Sequence, residues 1–232
     1  MKFDTPLIHG TLIRRYKRFL SDIRLDDGTI VVAHCTNSGS MKTCIEEGAE
    51  VYLSPAKDPK RKTKYTWEMI KINNQWVGIN TMHPNLIAFE AIKSGQIPQL
   101  AGYKHIQREV KTGNSRIDIM AQNESETCFI EVKNVTMKDG IYARFPDAVT
   151  SRGKKHLEEL IQLKTEGIRA VMLYIIQRCD VSVFAPANSI DPEYTNTLIK
   201  AHQCGVEIIP IQVKVTPTEI TIDRELNFDL KA

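Results

Sequence analysis

The fold is decided by the stretch Ser115-Arg116-Ile117-Asp118-Ile119-Met120 and, after a polar turn, Cys128-Phe129-Ile130-Glu131-Val132-Lys133. Charged residues interrupt both apolar segments at the alternating spacing of β-strands. Because successive side chains of a strand point to opposite faces, Glu131 and Lys133 share one face of the second strand. If the segments pair as a hairpin across residues 123–126, Asp118 lies close to Glu131. Two carboxylates and one ammonium group would then meet at one point of the sheet.

Such a cluster predicts a metal-dependent site for phosphate chemistry. Carboxylates held together repel one another, which costs stability unless a cation compensates. Mg²⁺, or Mn²⁺ in its place, binds carboxylates together with water and phosphate oxygens. We therefore predict Asp118 and Glu131 as metal ligands, with Lys133 orienting the attacking water and offsetting negative charge in the transition state. On spacing alone, a surface salt bridge of Glu131 with Lys133 beside an exposed Asp118 stays an open alternative.

The residues around this hairpin predict a mixed sheet flanked by helices. A helix is predicted at residues 85–94, where apolar residues recur at helical spacing and Gly95 and Pro98 follow. Strands are predicted at 103–110, 115–120, 128–132, 170–176, 181–184 and 206–211, with further helices at 154–165 and 192–202. This alternation requires helices packed against a mixed sheet.

The first 80 residues predict a small β-barrel instead. Short strands are expected at 7–19, 23–25, 30–34, 50–54, 65–72 and 75–79, separated by turns such as Asp26-Asp27-Gly28. Five or so strands in this length suggest an OB-like barrel, whose strand faces and loops bind oligonucleotides. The predicted fold class is therefore α/β (α+β), with an OB-like barrel at 1–82 and an α/β domain at 83–232.

Composition narrows the class of protein further. The chain has 232 residues, 42% of them hydrophobic and 25% charged, as expected for a globular protein with a sizeable core. The sequence shows neither an apolar run of roughly 20 residues nor a secretory signal, so we expect a cytoplasmic protein with no membrane partner. The five scattered cysteines form no C-x-x-C pair, which argues against a disulfide framework or a cysteine zinc site. Assembly into a homo-oligomer stays open.

The distribution of basic residues is more informative than the net charge, which is only +3. Two clusters stand out, and we predict that they bind the phosphates of a nucleic acid. The alternative for each cluster is an ordinary solvated surface. The candidate contacts are Arg14, Arg15, Lys17 and Arg18 in the first strand region, and Lys60, Arg61 and Lys62 in a later loop.

The hairpin resembles the core of the PD-(D/E)xK nuclease fold. In that fold an acidic residue is followed by Glu-x-Lys on the next strand, as Asp118 is followed here by Glu131-Val132-Lys133. Ile117 stands where the family name has proline. The resemblance implies a Mg²⁺-dependent phosphodiesterase with a further acid on the preceding helix, a place that Glu90 occupies. Glu109 is the competitor, and an exposed helix residue is the alternative for Glu90.

Longer motifs resemble the sugar fermentation stimulation protein A family. They are His34-Cys35-Thr36-Asn37-Ser38-Gly39-Ser40-Met41, Ser115-Arg116-Ile117-Asp118, Glu131-Val132-Lys133-Asn134-Val135-Thr136 and residues 145–160. The likeness runs almost end to end. It implies a prokaryotic, cytoplasmic DNA-binding protein with an OB-like N-terminal domain, a nuclease-like C-terminal domain and a regulatory link to sugar metabolism. The family name records a phenotype, so the resemblance does not settle the chemistry.

Two of these motifs contain further candidate phosphate contacts. Thr150 or Ser151 is expected to cap the helix that follows, and the backbone N–H groups at a helix N-terminus favour anions. The Gly-containing turn in the first motif offers polar side chains to a phosphate. A solvated basic turn and a plain turn are the respective alternatives. The candidates are Arg152, Lys155 and His156 at the helix, and Asn37 and Ser38 in the turn.

Two functions from different classes follow. The first is a DNA-binding protein with a Mg²⁺-dependent nuclease site. The alternative is a non-cleaving, DNA-binding regulatory protein linked to sugar metabolism. The acid, acid and lysine cluster favours the enzyme, because a pure binder has no need to hold repelling carboxylates against an anionic ligand. RNA stays a third alternative, and no helix-turn-helix pattern predicts base-specific operator recognition.

Overall fold

The first half of the chain closes into a barrel in this computed structural model, which describes residues 1–112 and 115–232. Its strands are β1 (Ile8–Tyr16), β2 (Leu20–Leu25), β3 (Ile30–His34), β4 (Glu50–Pro55), β5 (Tyr65–Ile72) and β6 (Gln75–Gly78). The hydrogen-bonded order is β3-β2-β1-β4-β5-β6, and a parallel pairing of β3 with β5 closes the ring. Five strands therefore form the barrel, and β6 extends it from β5.

Alternating apolar residues fill the barrel, as strand periodicity requires. The interior side chains include Leu12, Ile23, Leu53, Trp67 and Ile70, all buried. Burying one such side chain contributes about 1.5–3 kcal/mol. Trp67 therefore belongs to the core.

The first strand is shorter than predicted, because the chain turns at Lys17 and Arg18. Both residues have positive φ angles, 49° and 65°, and β2 begins at Leu20. Paired positive φ angles are typical of a tight hairpin turn, which Asn and Gly usually form. The Lys-Arg sequence gave no such indication.

The second half alternates strands and helices. Its elements are α1 (His83–Lys93), a 3-10 turn (Pro98–Leu100), β7 (His105–Thr112), β8 (Ser115–Gln122), β9 (Thr127–Val135), β10 (Met137–Asp139), β11 (Tyr142–Phe145), α2 (Ser151–Thr165), β12 (Arg169–Ile176), β13 (Val183–Pro186), α3 (Pro192–Gln203), β14 (Glu207–Val215), β15 (Ile220–Glu225) and β16 (Asn227–Phe228). The predictions lacked the short strands β10, β11, β15 and β16.

The main sheet of this half has six strands in the order β15-β14-β12-β9-β8-β7. Strands β9, β12 and β14 are parallel, whereas β7, β8 and β9 form an antiparallel meander. A smaller sheet has the order β10-β11-β13-β16. The mixed sheet flanked by helices, like the OB-like barrel, is confirmed.

Helices cover both faces of the main sheet. Helix α1 packs Ile87, Ala91 and Ile92 against one face, where Ile130 and Val132 also lie. Helices α2 and α3 cover the opposite face. Thr150 caps α2, since its side chain accepts a hydrogen bond from the backbone N–H of Gly153 at 3.0 Å. The cap starts α2 at Ser151, three residues before the predicted start.

In the described ranges, no helix combines the length and the apolar character needed to cross a membrane.

Candidate functional site

Strand register brings Asp118 next to Glu131. In the antiparallel pair of β8 and β9, Ile119 lies opposite Ile130 at the end of the pairing, and the adjacent Asp118 is close enough for Glu131 to repel its charge. The backbone N–H of Val132 donates to Oδ2 of Asp118 at 2.9 Å. The hairpin geometry that the sequence predicts is therefore present, and the cluster lies within a sheet held from both faces.

Asp118 is half-buried beside a like charge. The side-chain amide of Asn85, in the first turn of α1, donates to Oδ1 of Asp118 at 2.7 Å. Burial, followed by repulsion from Glu131, raises the pKa of Asp118, and these effects outweigh the hydrogen bonds and the attraction of Lys133. A raised carboxyl pKa means that the site favours an added positive charge.

Glu131 is the most buried member of the cluster, with 2% of the residue exposed. Lys133 Nζ donates to Oε1 of Glu131 at 2.6 Å, and His156 Nδ1 contacts the same oxygen. Burial alone would raise the pKa of Glu131, but hydrogen bonding to His156 and the charge of Lys133 together lower it. Glu131 is thus ionised and held by two cationic or donor side chains.

His156 reaches the cluster from α2. Its Nε2 accepts a hydrogen bond from Nε of Arg152, one helical turn earlier, at 3.3 Å. Its Nδ1 lies against Glu131 Oε1 and 3.0 Å from Lys133 Nζ, so the three side chains form one group of polar contacts. His156 is buried, so the predicted role as a surface phosphate contact is wrong for this side chain. It packs inward on the face of α2 that carries Leu157 and Leu160.

The oxygen atoms of Asp118 and Glu131 fit a hard divalent cation. Mg²⁺ keeps several waters and is usually bound through one or two carboxylates plus phosphate oxygens. Within residues 1–112 and 115–232, no group of three or more His, Cys, Asp and Glu side chains is arranged as a metal site.

Glu90 does not join the cluster. Its carboxylate pairs with the N-terminal ammonium of Met1 at 3.2 Å, and 48% of its side chain is exposed. At about 100° per residue, Asn85 and Glu90 point to different sides of α1. Glu109, the competitor, is exposed and pairs with Arg116 at 3.0 Å. The helix contributes an amide to Asp118 and no second acid.

The predicted cations of the barrel fall into two groups. Arg14 pairs with Asp22 at 2.7 Å, and Arg15 donates to three backbone carbonyls, so both have structural partners. Arg61 likewise donates to the carbonyls of Thr63 and Tyr65. Arg18 is exposed, and its Nε donates to the Ser38 carbonyl at 3.2 Å. The remaining members are exposed side chains that stay available to a ligand: Lys17, Lys60 and Lys62.

The remaining predicted contacts also differ in exposure. Asn37 is buried, and its side-chain oxygen accepts from the backbone N–H of Gly39 at 2.9 Å, whereas Ser38 is exposed. Arg152 and Lys155 are exposed on α2, and Lys155 lies 3.7 Å from Glu159. Asn37 therefore shapes its turn, while Ser38, Arg152 and Lys155 keep surfaces for a phosphate.

Sequence reasoning missed Asn85 and the inward role of His156. Asn85 carries no charge, whereas the residue type expected on α1 is an acid. His156 could have been recognised as buried, because it precedes Leu157 and lies four residues before Leu160 on the apolar stripe of the helix. A polar residue on such a stripe requires a partner, which is Glu131.

Comparisons with known proteins cover the whole chain. The family model described as "SfsA N-terminal OB domain" matches residues 13–79, and the "Sugar fermentation stimulation protein RE domain" matches residues 82–219. The sugar fermentation stimulation protein homolog of Paramagnetospirillum magneticum is 50% identical over 232 residues, covering 99% of this chain and 98% of that protein. The homolog of Geobacter sulfurreducens is 49% identical over 227 residues, covering 97% of each.

A solved structure is also similar. The SfsA protein of Pyrococcus furiosus, solved in complex with Ca²⁺, has a TM-score of 0.89 to this chain at 28% identity, covering 99% of this chain and 98% of that one. The matches confirm the resemblance drawn from the motifs and the order of a barrel followed by a mixed α/β sheet.

Proposed function

We infer that this chain, which belongs to the sugar fermentation stimulation protein family, binds DNA and hydrolyses its phosphodiester bonds at the Asp118, Glu131 and Lys133 cluster with a divalent cation. The observation that carries the proposal is the pair of neighbouring carboxylates beside one lysine. Repelling charges of this kind are costly to hold together, and perturbed carboxyls of this kind concentrate at functional sites. Mg²⁺ or Mn²⁺ is the proposed cofactor.

The site residues support a cation at this position. Both carboxylates offer hard oxygen atoms, and the raised pKa of Asp118 reflects a charge that a cation would neutralise. The Pyrococcus furiosus relative was solved with Ca²⁺, which also prefers oxygen ligands. A bound divalent cation polarises the phosphate and makes bound water more acidic.

The chain's own side chains divide the remaining work. Asn85 orients the Asp118 carboxylate, and His156 holds the Glu131 carboxylate in place. The Lys133 ammonium, 2.6 Å from Glu131, is placed to hold the attacking water and to offset negative charge as the phosphate is attacked. Preorganised charge of this kind typically contributes 10²–10³-fold per group.

Exposed cations on both halves of the chain supply the DNA contacts in this proposal. They are Lys17, Arg18, Lys60, Lys62, Arg152 and Lys155. Cations that neutralise phosphates release counterions, so affinity falls steeply as salt rises. A salt-independent affinity would contradict this electrostatic model.

The direct test is cleavage of labelled single-stranded, double-stranded and branched DNA with Mg²⁺ or Mn²⁺. Wild type is compared with Asp118→Asn and Lys133→Ala, each of which should lower the cleavage rate at least about 100-fold. The matched controls are Glu124→Gln and Lys104→Ala, which change an exposed ion pair beside the same sheet, in the β8–β9 turn and just before β7, and should retain wild-type rates.

The outcome separates the enzyme from the alternative function. Metal-dependent cutting that is lost only in the two site variants supports the nuclease. If wild type cuts no substrate while Asp118→Asn binds DNA as well as wild type does, the protein is a non-cleaving, regulatory DNA-binding protein. Cutting of a matched RNA alone would move the substrate class from DNA to RNA.

A further inference from the structure

A cleft of about 440 Å³ opens between the barrel and the second half of the chain. Its walls come from the β1–β2 turn, the loop at 36–39, Thr81 before α1, the end of β9 and the segment at 144–150. Both long motifs, at 34–41 and 145–160, contribute residues to these walls. The residues that they contribute have no role in the carboxylate cluster. Segments so far apart in sequence meet only in the folded protein.

The cleft adjoins the candidate site along the chain. Three of the residues that line it are joined through the chain to members of the cluster. They are Asn134 next to Lys133, Thr81 four residues before Asn85, and Thr150 six residues before His156. Neighbouring Cα atoms lie about 3.8 Å apart, so the backbone of Lys133 begins one residue from the Asn134 wall of the cleft.

Internal contacts hold the barrel side of the cleft in its shape. The Arg15 guanidinium donates to the carbonyls of Asn37 and Gly39 at 2.8 and 3.0 Å. Asp147, on the opposite wall, accepts from the backbone N–H of Met41 at 3.3 Å. A Cβ on Gly39 would meet the Asp147 carboxylate, which would then have to move. A cleft shaped before binding loses less conformational freedom when a ligand enters.

The chemistry of the lining suits a sugar–phosphate chain. Hydroxyl, amide and guanidinium groups are the usual partners of phosphate and sugar oxygens. Such groups line the cleft from both halves of the chain: Arg18, Thr36, Ser38, Thr81, Asn134 and Thr136. These groups are mostly hydrogen-bond donors and carry little net charge. Such a lining fits a single nucleic-acid strand better than a duplex, whose phosphates are more densely charged.

One exposed apolar side chain lines the cleft, and two more follow lining residues in the sequence. Val149 lines the cleft with 77% of the residue exposed, Met82 follows Thr81 with 72% exposed, and Phe19 follows Arg18 with 48% exposed. Aromatic and apolar side chains contact the faces of unpaired bases or insert between base steps. In a duplex those faces are covered by stacking, so the apolar residues favour an unpaired strand.

We propose that this cleft binds a single-stranded DNA segment and leads it into the carboxylate cluster. Phosphates and sugars contact the polar lining, while bases rest on Val149, Met82 and Phe19. The proposal rests on the proposed function for the class of ligand, and it specifies the substrate as an unpaired strand at or beside the bond that is cut.

Binding is measured on the full chain in EDTA by fluorescence anisotropy, with a labelled oligothymidylate of about 16 nucleotides and a hairpin duplex of equal length. Val149→Glu and Arg18→Glu should each weaken oligothymidylate binding about tenfold. The matched controls are Ile30→Glu and Arg24→Glu, which change exposed residues on neighbouring barrel strands and should change affinity less than about twofold. All four positions are exposed, so unfolding curves should remain close to wild type.

Photo-crosslinking locates the strand directly. An oligothymidylate with one 5-iododeoxyuridine is irradiated with the wild-type protein, and the modified peptides are identified by mass spectrometry. Adducts in the segments 36–39, 81–82 and 145–150 support the cleft. Adducts confined to the basic loop at 57–64, or equal affinities of the cleft variants and their controls, overturn it.

Cleavage assays separate failure of this proposal from failure of the nuclease. If wild type cuts DNA while Val149→Glu and Arg18→Glu cut and bind like wild type, the cleft proposal fails and the nuclease stands. If the strand crosslinks in the cleft but nothing is cut with Mg²⁺ or Mn²⁺, the nuclease fails and the cleft stands. A preference for the hairpin duplex over the oligothymidylate also overturns the cleft proposal.

Discussion

Two of the places where the described residues bury a carboxylate hold the charge in different ways. In the barrel, Glu68 is alone and accepts hydrogen bonds from Ser54 Oγ at 2.5 Å, Asn80 Nδ2 at 2.8 Å and His83 Nε2 at 2.7 Å. Burial would raise the pKa of Glu68, but the contacts with His83, Ser54 and Asn80 outweigh it and lower the pKa. The charge is fully satisfied within the chain.

In the second half, Asp118 and Glu131 lie side by side. Lys133 and His156 both contact one oxygen of Glu131, and Asp118 keeps a raised pKa. The comparison teaches that a buried carboxylate is not by itself a functional residue. Glu68 ties the barrel to the start of α1, whereas the raised pKa of Asp118 beside Glu131 marks a charge that a cation would stabilise.

The largest expected effect is the loss of stability in Glu68→Ala. Removing the carboxylate leaves His83, Asn80 and Ser54 without their acceptor in a buried place, which should lower the free energy of unfolding by about 3–5 kcal/mol. Urea unfolding followed by circular dichroism measures it. Glu124→Ala, an exposed control, should stay within about 0.5 kcal/mol of wild type. A Glu68→Ala protein as stable as the control would remove the structural half of the comparison.

A smaller effect is expected for His156→Ala, which acts on the other carboxylate. Losing a residue that positions a metal ligand typically lowers metal affinity or activity 10–100-fold, so half-maximal cleavage should require more Mg²⁺. His156→Gln, which can still donate to Glu131, should recover part of the loss, and Glu158→Ala on the exposed face of α2 should change nothing. A slower rate at an unchanged Mg²⁺ requirement would indicate packing alone.

The pH dependence of stability should differ in sign between the two places. Because folding raises the pKa of Asp118, the fold loses stability as pH rises from about 3.8 through the folded-state pKa. In EDTA, the stability of Asp118→Asn relative to wild type should therefore increase toward neutral pH. The lowered pKa of Glu68 stabilises the fold above about pH 4.5 and is lost as pH falls, so Glu68→Gln should approach wild type only in acid. Unfolding curves between pH 3 and 7 measure both differences, with about 2 kcal/mol as the upper bound for Asp118→Asn. If the stability difference from wild type changes with pH in the same direction for both variants, the predicted difference in sign is contradicted.

The smallest effect belongs to the exposed cations. Lys62→Ala should weaken DNA binding uniformly across sequences and reduce the salt slope of the affinity by about 1. Lys200→Ala on α3, also exposed, serves as the control and should leave the slope unchanged. If Lys62→Ala keeps the wild-type slope, the loop of β4 and β5 is ordinary surface.

Much of the architecture could be predicted from local patterns. The hairpin of β8 and β9 followed from alternation, and its register from the turn at 123–126. The missed strands β10, β11 and β16 are two to four residues long, too short for a period, and β11 and β16 both pair with the distant β13. Such pairing has no local pattern in the sequence.

Within the site, the residues predicted from the sequence were charged side chains, so an uncharged one such as Asn85 was not among them. The acid expected on α1 was Glu90, but the rotation of the helix depends on how Ile87, Ala91 and Ile92 pack against the sheet. That packing turns Asn85 toward Asp118 and leaves Glu90 to the N-terminus. Helical periodicity predicts which face of α1 is buried, whereas the elements packed against the helix determine which residues each side of it contacts.

The sequence by itself determined the two-part order of the chain, the barrel strands and the meeting of Asp118 with Glu131, because strand alternation and turns are set by residues close together along the chain. Only the tertiary structure decided that Asn85 and His156 complete the site, since these contacts join residues 33 and 25 positions apart. The cleft, too, exists only where the barrel meets the sheet, because long-range packing, and no local preference, sets the position of one half against the other.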